Sequence, residues 1–255
     1  MDIQYDTDGG AGSAARLGLI VLSTDETLEF EARQLLAGRD VSLAHTRIKA
    51  EADVTPETLA MMEGRLTDSA ALLPSELDVI GYACTSASTV IGPARVAERI
   101  RAVHPDATAC NPISAVMAAL GALEVRTLAY VSPYVPEVTA PMRAMLAENG
   151  FQTVSERSFG ESDDRTVARI CESSTRALIE QANTDEADAV FVSCTNLRSF
   201  GLIDEAEAAL GKPVISSNLA LLWHMLEQAG ADASGWGPGR LFRLRDEAEP
   251  QRASA

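Results

Sequence analysis

Cys84 and Cys194 each close an apolar run, and each is followed by Thr and then by Ser or Asn: Ala83-Cys84-Thr85-Ser86 and Ser193-Cys194-Thr195-Asn196. A thiol where a strand gives way to a helix lies beside unpaired backbone N–H groups and the positive end of the helix dipole, which stabilise its thiolate. The same N–H groups can hold a carboxylate. Two such thiols, facing one small molecule from opposite sides, would remove a proton or attack an electron-poor carbon on one face and return a proton on the other. That chemistry serves racemisation or double-bond isomerisation without metal or cofactor. Placement carries this reading, because a lone strand-end Cys is ordinarily packing. Cys110, beside Asn111, and Cys171, within a helical pattern, have no matched partner and read as packing.

The placement is matched because the chain repeats itself. Asp78-Val-Ile-Gly-Tyr-Ala-Cys84-Thr85-Ser86 aligns with Asp188-Ala-Val-Phe-Val-Ser-Cys194-Thr195-Asn196 at an offset of 110 residues. The same offset brings the run from Arg16 onto the run from Arg126, and Ala109-Cys-Asn111-Pro meets Ser216-Ser-Asn218-Leu at 107. Three matches in one order at nearly one offset predict two halves of similar topology, a duplication rather than a solenoid.

The elements that must position the thiols are legible from hydrophobic pattern. Short apolar runs at 17–23, 78–84, 127–132, 187–194 and 213–216 read as buried strands. Helical spacing fills 27–36, 93–104, 136–150, 164–182 and 218–230, the last with Gly230 as a C-cap. Near-continuous apolar strands alternating with amphipathic helices predict an α/β fold: two similar Rossmann-like halves with parallel sheets, related by a pseudo-twofold, with the site in the cleft between them. The expected division is 16–115 for the first half, with 219–240 packing back on it, and 116–218 for the second. Residues 1–15 and 245–255 read as flexible tails. In open α/β sheets ligands bind beyond the carboxyl ends of strands, where both cysteines fall.

Composition narrows the partners. The 255 residues carry 21 Lys+Arg against 37 Asp+Glu, a net charge of −16. Nucleic-acid backbones and anionic membranes would repel this chain. No apolar run approaches the ~20 residues of a membrane-spanning helix. The acidic, Gly-rich start lacks the regions of a secretory signal, and four cysteines without a CxxC pair fit a reducing cytoplasm. His45, His104 and His224 lack zinc-ligand spacing. The first strand continues as Ser23-Thr24-Asp25-Glu26-Thr27 rather than GxGxxG, and no P-loop or GxSxG elbow occurs.

The two cysteine blocks, with Ser132-Pro133-Tyr134 and the stretch from Pro213 to Trp223, resemble the aspartate/glutamate racemase superfamily and within it the maleate cis–trans isomerase group, over about residues 16–230. The resemblance implies that Cys84 is the nucleophile, adding to one alkene carbon so that the intermediate can rotate, and that Cys194 handles the proton opposite. It implies that Tyr134 holds a substrate carboxylate and that Thr85, Ser86, Thr195 and Asn196 supply further donors, and it implies no cofactor. The substrate would be a small carboxylic acid and the protein a homo-oligomer, a dimer or a dimer of dimers. Arylmalonate decarboxylases and amino-acid racemases share this scaffold, so decarboxylation, racemisation and non-catalytic metabolite binding stand as alternatives. The sequence departs from the group at two places: Asp25 and Asp164 stand where maleate isomerases carry asparagines. An ionised aspartate accepts hydrogen bonds but does not donate them, and it repels a dianion. Both residues could instead cap helix starts. Lining the cleft, they would favour a substrate with an ammonium group. The Leu-Ser-Thr-Asp-Glu-Thr start is similar to maleate-isomerase-like proteins associated with ectoine utilisation.

Overall fold

The computed structural model describes residues 3–244. The expected tail at 245–255 lies outside the described residues, as do the first two of 1–15. Residues 3–14 have no regular structure, and the chain enters the fold where Ala14 N–H donates to the Asp40 carbonyl at 3.0 Å.

Eight strands form two four-stranded sheets, every pairing parallel. The first contains β1 (Ala15–Leu22), β2 (Val41–Ile48), β3 (Val79–Ala83) and β4 (Thr108–Cys110), in the order β2-β1-β3-β4. The second contains β5 (Thr127–Tyr134), β6 (Gln152–Glu161), β7 (Ala189–Val192) and β8 (Val214–Ser216), in the equivalent order β6-β5-β7-β8. The duplication extends to single contacts. Arg16 N–H donates to Asp78 Oδ2 at 2.7 Å, and its counterpart Arg126 N–H donates to Asp188 Oδ2 at 2.9 Å. Each pins the start of a central strand to the next.

The central strands are apolar because both faces are covered: every residue of β3 and β7 is buried. Helix Ser217–Gln228, which follows β8, packs against helix Pro112–Ala122 and crosses back onto β3 of the first sheet. Gly81 permits that crossing, since a Cβ there would stand 2.7 Å from Met225 Sδ.

Two expectations need correction. The helix expected over 164–182 is two helices, Asp164–Val167 and Glu172–Ala182. Cys171 therefore lies at the N-cap of the second, exposed rather than packed, with Ser173 and Ser174 Oγ each 3.1 Å from its sulfur. Those hydroxyls bring its acidity to about 7. No helix among the described residues is long and apolar enough to cross a membrane.

Candidate active site

In each sheet the chain leaves the central pair of strands in opposite directions, and the crevice at that switch point is where such folds place ligands. Cys84 follows β3, and Asp25 lies just beyond β1. In the second sheet Tyr134 ends β5 and Cys194 lies just beyond β7. The two crevices meet. Thr195 Oγ1 donates to the Ala83 carbonyl at 3.3 Å, and Ser217 Oγ accepts both from Thr85 Oγ1 at 2.8 Å and from Cys194 N–H at 3.1 Å. Ser217 thus couples the two cysteine-bearing turns. It was not singled out from sequence, although Ser216-Ser-Asn218 is one of the repeated blocks.

The turns differ. Cys84 caps helix Thr85–Ile91, its sulfur accepting from Ala87 N–H at 3.4 Å. No helix starts at Cys194: residues 195–199 are irregular, and regular structure resumes at Phe200. Buried backbone without a helix must find other partners, and this turn is tied in from both halves. Asn196 Oδ1 accepts from Glu26 N–H at 2.9 Å, Asn196 Nδ2 donates to the carbonyls of Thr24 (3.2 Å) and Asp164 (2.9 Å), and Thr27 Oγ1 donates to the Asn196 carbonyl at 2.9 Å.

These bonds revise the expected donor set. Both amide hydrogens of Asn196 are taken by the scaffold, and the hydroxyls of Thr85 and Thr195 are turned to Ser217 and Ala83. Of the four expected donors, only Ser86 lines the cavity. Tyr134 donates its one hydroxyl proton to Asp164 Oδ1 at 2.6 Å, so it has none for a substrate carboxylate in this state. Its oxygen lies 3.3 Å from Cys194 Sγ. With the phenol proton committed to Asp164, the Cys194 S–H is the donor in that contact. Asn196 N–H donates to the same sulfur at 3.2 Å.

The two aspartates behave differently. Asp25 Oδ1 accepts from the N–H groups of Thr27 (2.8 Å) and Leu28 (2.9 Å), the start of helix Leu28–Leu36. Its other oxygen, Oδ2, is buried with no hydrogen-bond partner. Burial pushes Asp25 up to about 7; the Leu28 and Thr27 N–H groups pull back, Asp164 adds to the rise and the Thr195 side chain opposes it weakly. Asp164 caps nothing; the N-cap of its helix is Asp163, whose Oδ1 accepts from Arg165 N–H at 2.9 Å. Asp164 instead accepts from Tyr134 and, through Oδ2, from Thr24 Oγ1 at 2.5 Å.

Both thiols are buried and sense the same two carboxylates. Burial pushes Cys84 up to about 12, outweighing the Ala87 N–H; Asp164 and Asp25 raise it further. Cys194 is also driven well above the ordinary thiol range, by burial first and then by Asp164. Burial thus outweighs the helix-start stabilisation expected at Cys84, and Cys194 has no helix start to supply it.

Cys84, Ser86, Tyr134 and Asp164 surround a cavity of about 20 Å³. That is space for roughly one water. Its remaining wall is largely the segment 50–62, including Glu51, Val54 and Met62. The segment is fastened across the cleft by Val54 N–H to the Ser162 carbonyl and Asp164 N–H to the Ala52 carbonyl, both 2.9 Å. A space of this size holds no carboxylic acid as it stands, so binding one requires the wall to shift. A larger cavity, about 640 Å³, opens at the opposite ends of β3 and β4 beside Asp78 and His104, with no cysteine in its wall.

The family model for arylmalonate decarboxylase matches residues 17–242. The maleate isomerase of Nocardia farcinica is 30% identical over 243 residues, covering 89% of this chain and 95% of that protein. Among solved structures, a variant of the maleate isomerase Iso from Pseudomonas putida S16 with maleate superposes with a TM-score of 0.82 at 28% identity, covering 89% of this chain and 97% of that one. A cysteine-to-serine variant of the Nocardia farcinica maleate cis–trans isomerase, with a covalently bound succinylcysteine intermediate, gives 0.80 at 28% identity and covers 90% and 98%. The chain thus belongs to the arylmalonate decarboxylase family, within the maleate isomerase-like group of isomerases in the Asp/Glu racemase-like superfamily.

Proposed function

We propose that the protein is a cofactor-independent, two-cysteine isomerase of a small carboxylic acid that carries an ammonium group. One observation carries the choice of substrate: Asp25 Oδ2 is a buried carboxylate oxygen with no partner, near a second carboxylate, Asp164, in the same cleft. Asp164 and Glu51 both line the cavity, Asp25 lies behind its wall, and no Lys, Arg or His is among the described residues lining it. Ionised, this set would repel a dianion by several kcal/mol at short range, and it would attract a cation by a similar amount. A bound ammonium also reverses the electrostatics of the thiols, because a nearby positive charge favours the thiolate.

Cys84 is the base or nucleophile and Cys194 the acid. One carboxylate of the cleft takes the Cys84 proton and the other keeps the ammonium. With a saturated amino acid, the thiolate then takes the α-proton, the C–H pair moves into the adjacent carboxylate as an enediolate, and the Cys194 S–H protonates the opposite face. With an unsaturated acid, the thiolate adds to one alkene carbon while the Cys194 S–H protonates the other, the new single bond rotates, the Cys194 thiolate takes that proton back, and the C–H pair re-forms the alkene as the Cys84 thiolate is expelled. The hydrogen bond from Cys194 to Tyr134 supports its role as the thiol that holds its proton. Tyr134→Phe should lower kcat by roughly 10- to 100-fold with little change in KM, as expected for a group acting on proton transfer; steady-state kinetics measures this.

The deciding experiment sets aspartate, glutamate and 2,4-diaminobutyrate against maleate. Uptake of solvent deuterium at the α-carbon reports racemisation, and ultraviolet absorbance reports conversion of maleate to fumarate. An amino-bearing acid should show kcat/KM at least about a hundredfold above maleate, a difference of roughly 3 kcal/mol. Maleate turned over as well as any amino acid would overturn the ammonium assignment.

A further inference from the structure

Glu31 is a buried carboxylate that the chemistry above does not use. It projects from helix Leu28–Leu36 of the first half into the second half, directly behind the irregular turn that carries Cys194. Its Oε1 accepts from the N–H groups of Ser199 (3.1 Å) and Phe200 (3.0 Å), and its Oε2 accepts from Asn218 Nδ2 at 2.6 Å. Asn218 Nδ2 donates in turn to the Thr195 carbonyl at 2.8 Å. One carboxylate thereby fastens both ends of the stretch from Thr195 to Phe200. The turn after Cys84 needs no such clamp, because its backbone runs straight into a helix. The arrangement is maintained although burial pushes Glu31 up to about 7, with Glu172 adding repulsion. Arg198, the nearby cation, is directed instead at the Ile170 carbonyl by Nε and Nη2.

We infer that Glu31 is a positioning residue for Cys194: acting through Ser199, Phe200 and Asn218, it sets where the second thiol stands relative to the first. This rests on the two-cysteine reading and deepens it. Glu31→Gln preserves shape and leaves one oxygen for the two backbone N–H groups, but it turns an amide donor toward the Asn218 amide. The variant should fold, with a melting temperature within a few degrees of wild type. Its kcat should fall at least about tenfold with KM within about twofold, since displacing an acid by a fraction of an ångström affects the chemical step more than binding. Hydrogen–deuterium exchange should quicken in 194–200 and stay unchanged in 84–90. Faster exchange with unaltered kcat would mean that the clamp is merely structural, and unaltered exchange would mean that it is no clamp; either overturns the inference. If wild-type protein isomerises no acid, the functional reading fails separately, and thiol labelling carries the test. Iodoacetamide modification of Cys194 relative to Cys84, read by peptide mass, should rise at least about threefold in Glu31→Gln, by the thiol-access logic of buried cysteines. An unchanged ratio overturns the role of Glu31 whatever the substrate.

Discussion

Cys84→Ser should abolish turnover, lowering kcat at least about a thousandfold, while shifting the melting temperature by only a few degrees. Serine keeps the shape of the side chain and can still accept from Ala87 N–H, so the cap on helix Thr85–Ile91 survives. What is lost is acidity and nucleophilicity. A hydroxyl in the environment that raises Cys84 to about 12 would not ionise at all. Cys194→Ser should block turnover at a different point. Cys84 remains competent to attack, so an unsaturated substrate should accumulate as a covalent adduct on Cys84. Intact-protein mass spectrometry would show it as a gain equal to the mass of one substrate. The succinylcysteine trapped in the cysteine-to-serine variant of the Nocardia farcinica relative is the precedent. Full activity in a Cys84→Ala, Cys194→Ala double variant would end the two-thiol account.

Asp25→Asn should change both selectivity and stability. Asparagine keeps an oxygen for the N–H groups of Thr27 and Leu28 and replaces the unpartnered oxygen with a donor. Selectivity should move from amino-bearing acids toward dicarboxylates such as maleate by at least about tenfold in relative kcat/KM. Stability should rise at alkaline pH. Folding raises Asp25 from 3.8 to about 7, so the folded state holds the proton more tightly than the unfolded chain. The resulting destabilisation is absent below the unfolded value, grows as pH rises and is complete above about 7. Asparagine avoids it, giving roughly 1–3 kcal/mol at pH 8, or about 3–8 °C in melting temperature for a chain of this size. The gain should shrink to about a third at pH 5. Thermal melts across this range test it, and a variant less stable than wild type at pH 8 would show that Asp25 is there for stability rather than chemistry.

The central elements were legible because burial on both faces leaves a run of apolar residues, as in Val79–Ala83 and Ala189–Val192. The edge strands Val41–Ile48 and Gln152–Glu161 were missed. Each pairs on one side only and is partly exposed, so Ser-Glu-Arg and His-Thr-Arg interrupt the pattern. The repeat placed both cysteines at crevice positions but predicted a helix after each. It could not reveal that the second turn is irregular, because Thr-Asn caps helices as readily as Thr-Ser. The residues that hold that turn, Glu31, Ser217 and Asn218, lie far from it in sequence, and only the three-dimensional crossing of the halves brings them there. Asp25 shows a different limit: helix capping and a role in the cleft were competing readings, yet one oxygen caps and the other is left over.

A chamber with room for about one water molecule has a stereochemical consequence. Under the proposed chemistry, a carbanion formed behind the 50–62 segment would have little water beside it, so the proton it meets would come from sulfur. Handedness of the product is then dictated by the protein wall. In the racemisation reading, a label on the reactant's α-carbon would be left behind on Cys84 at each inversion, and the product would leave with hydrogen supplied by Cys194.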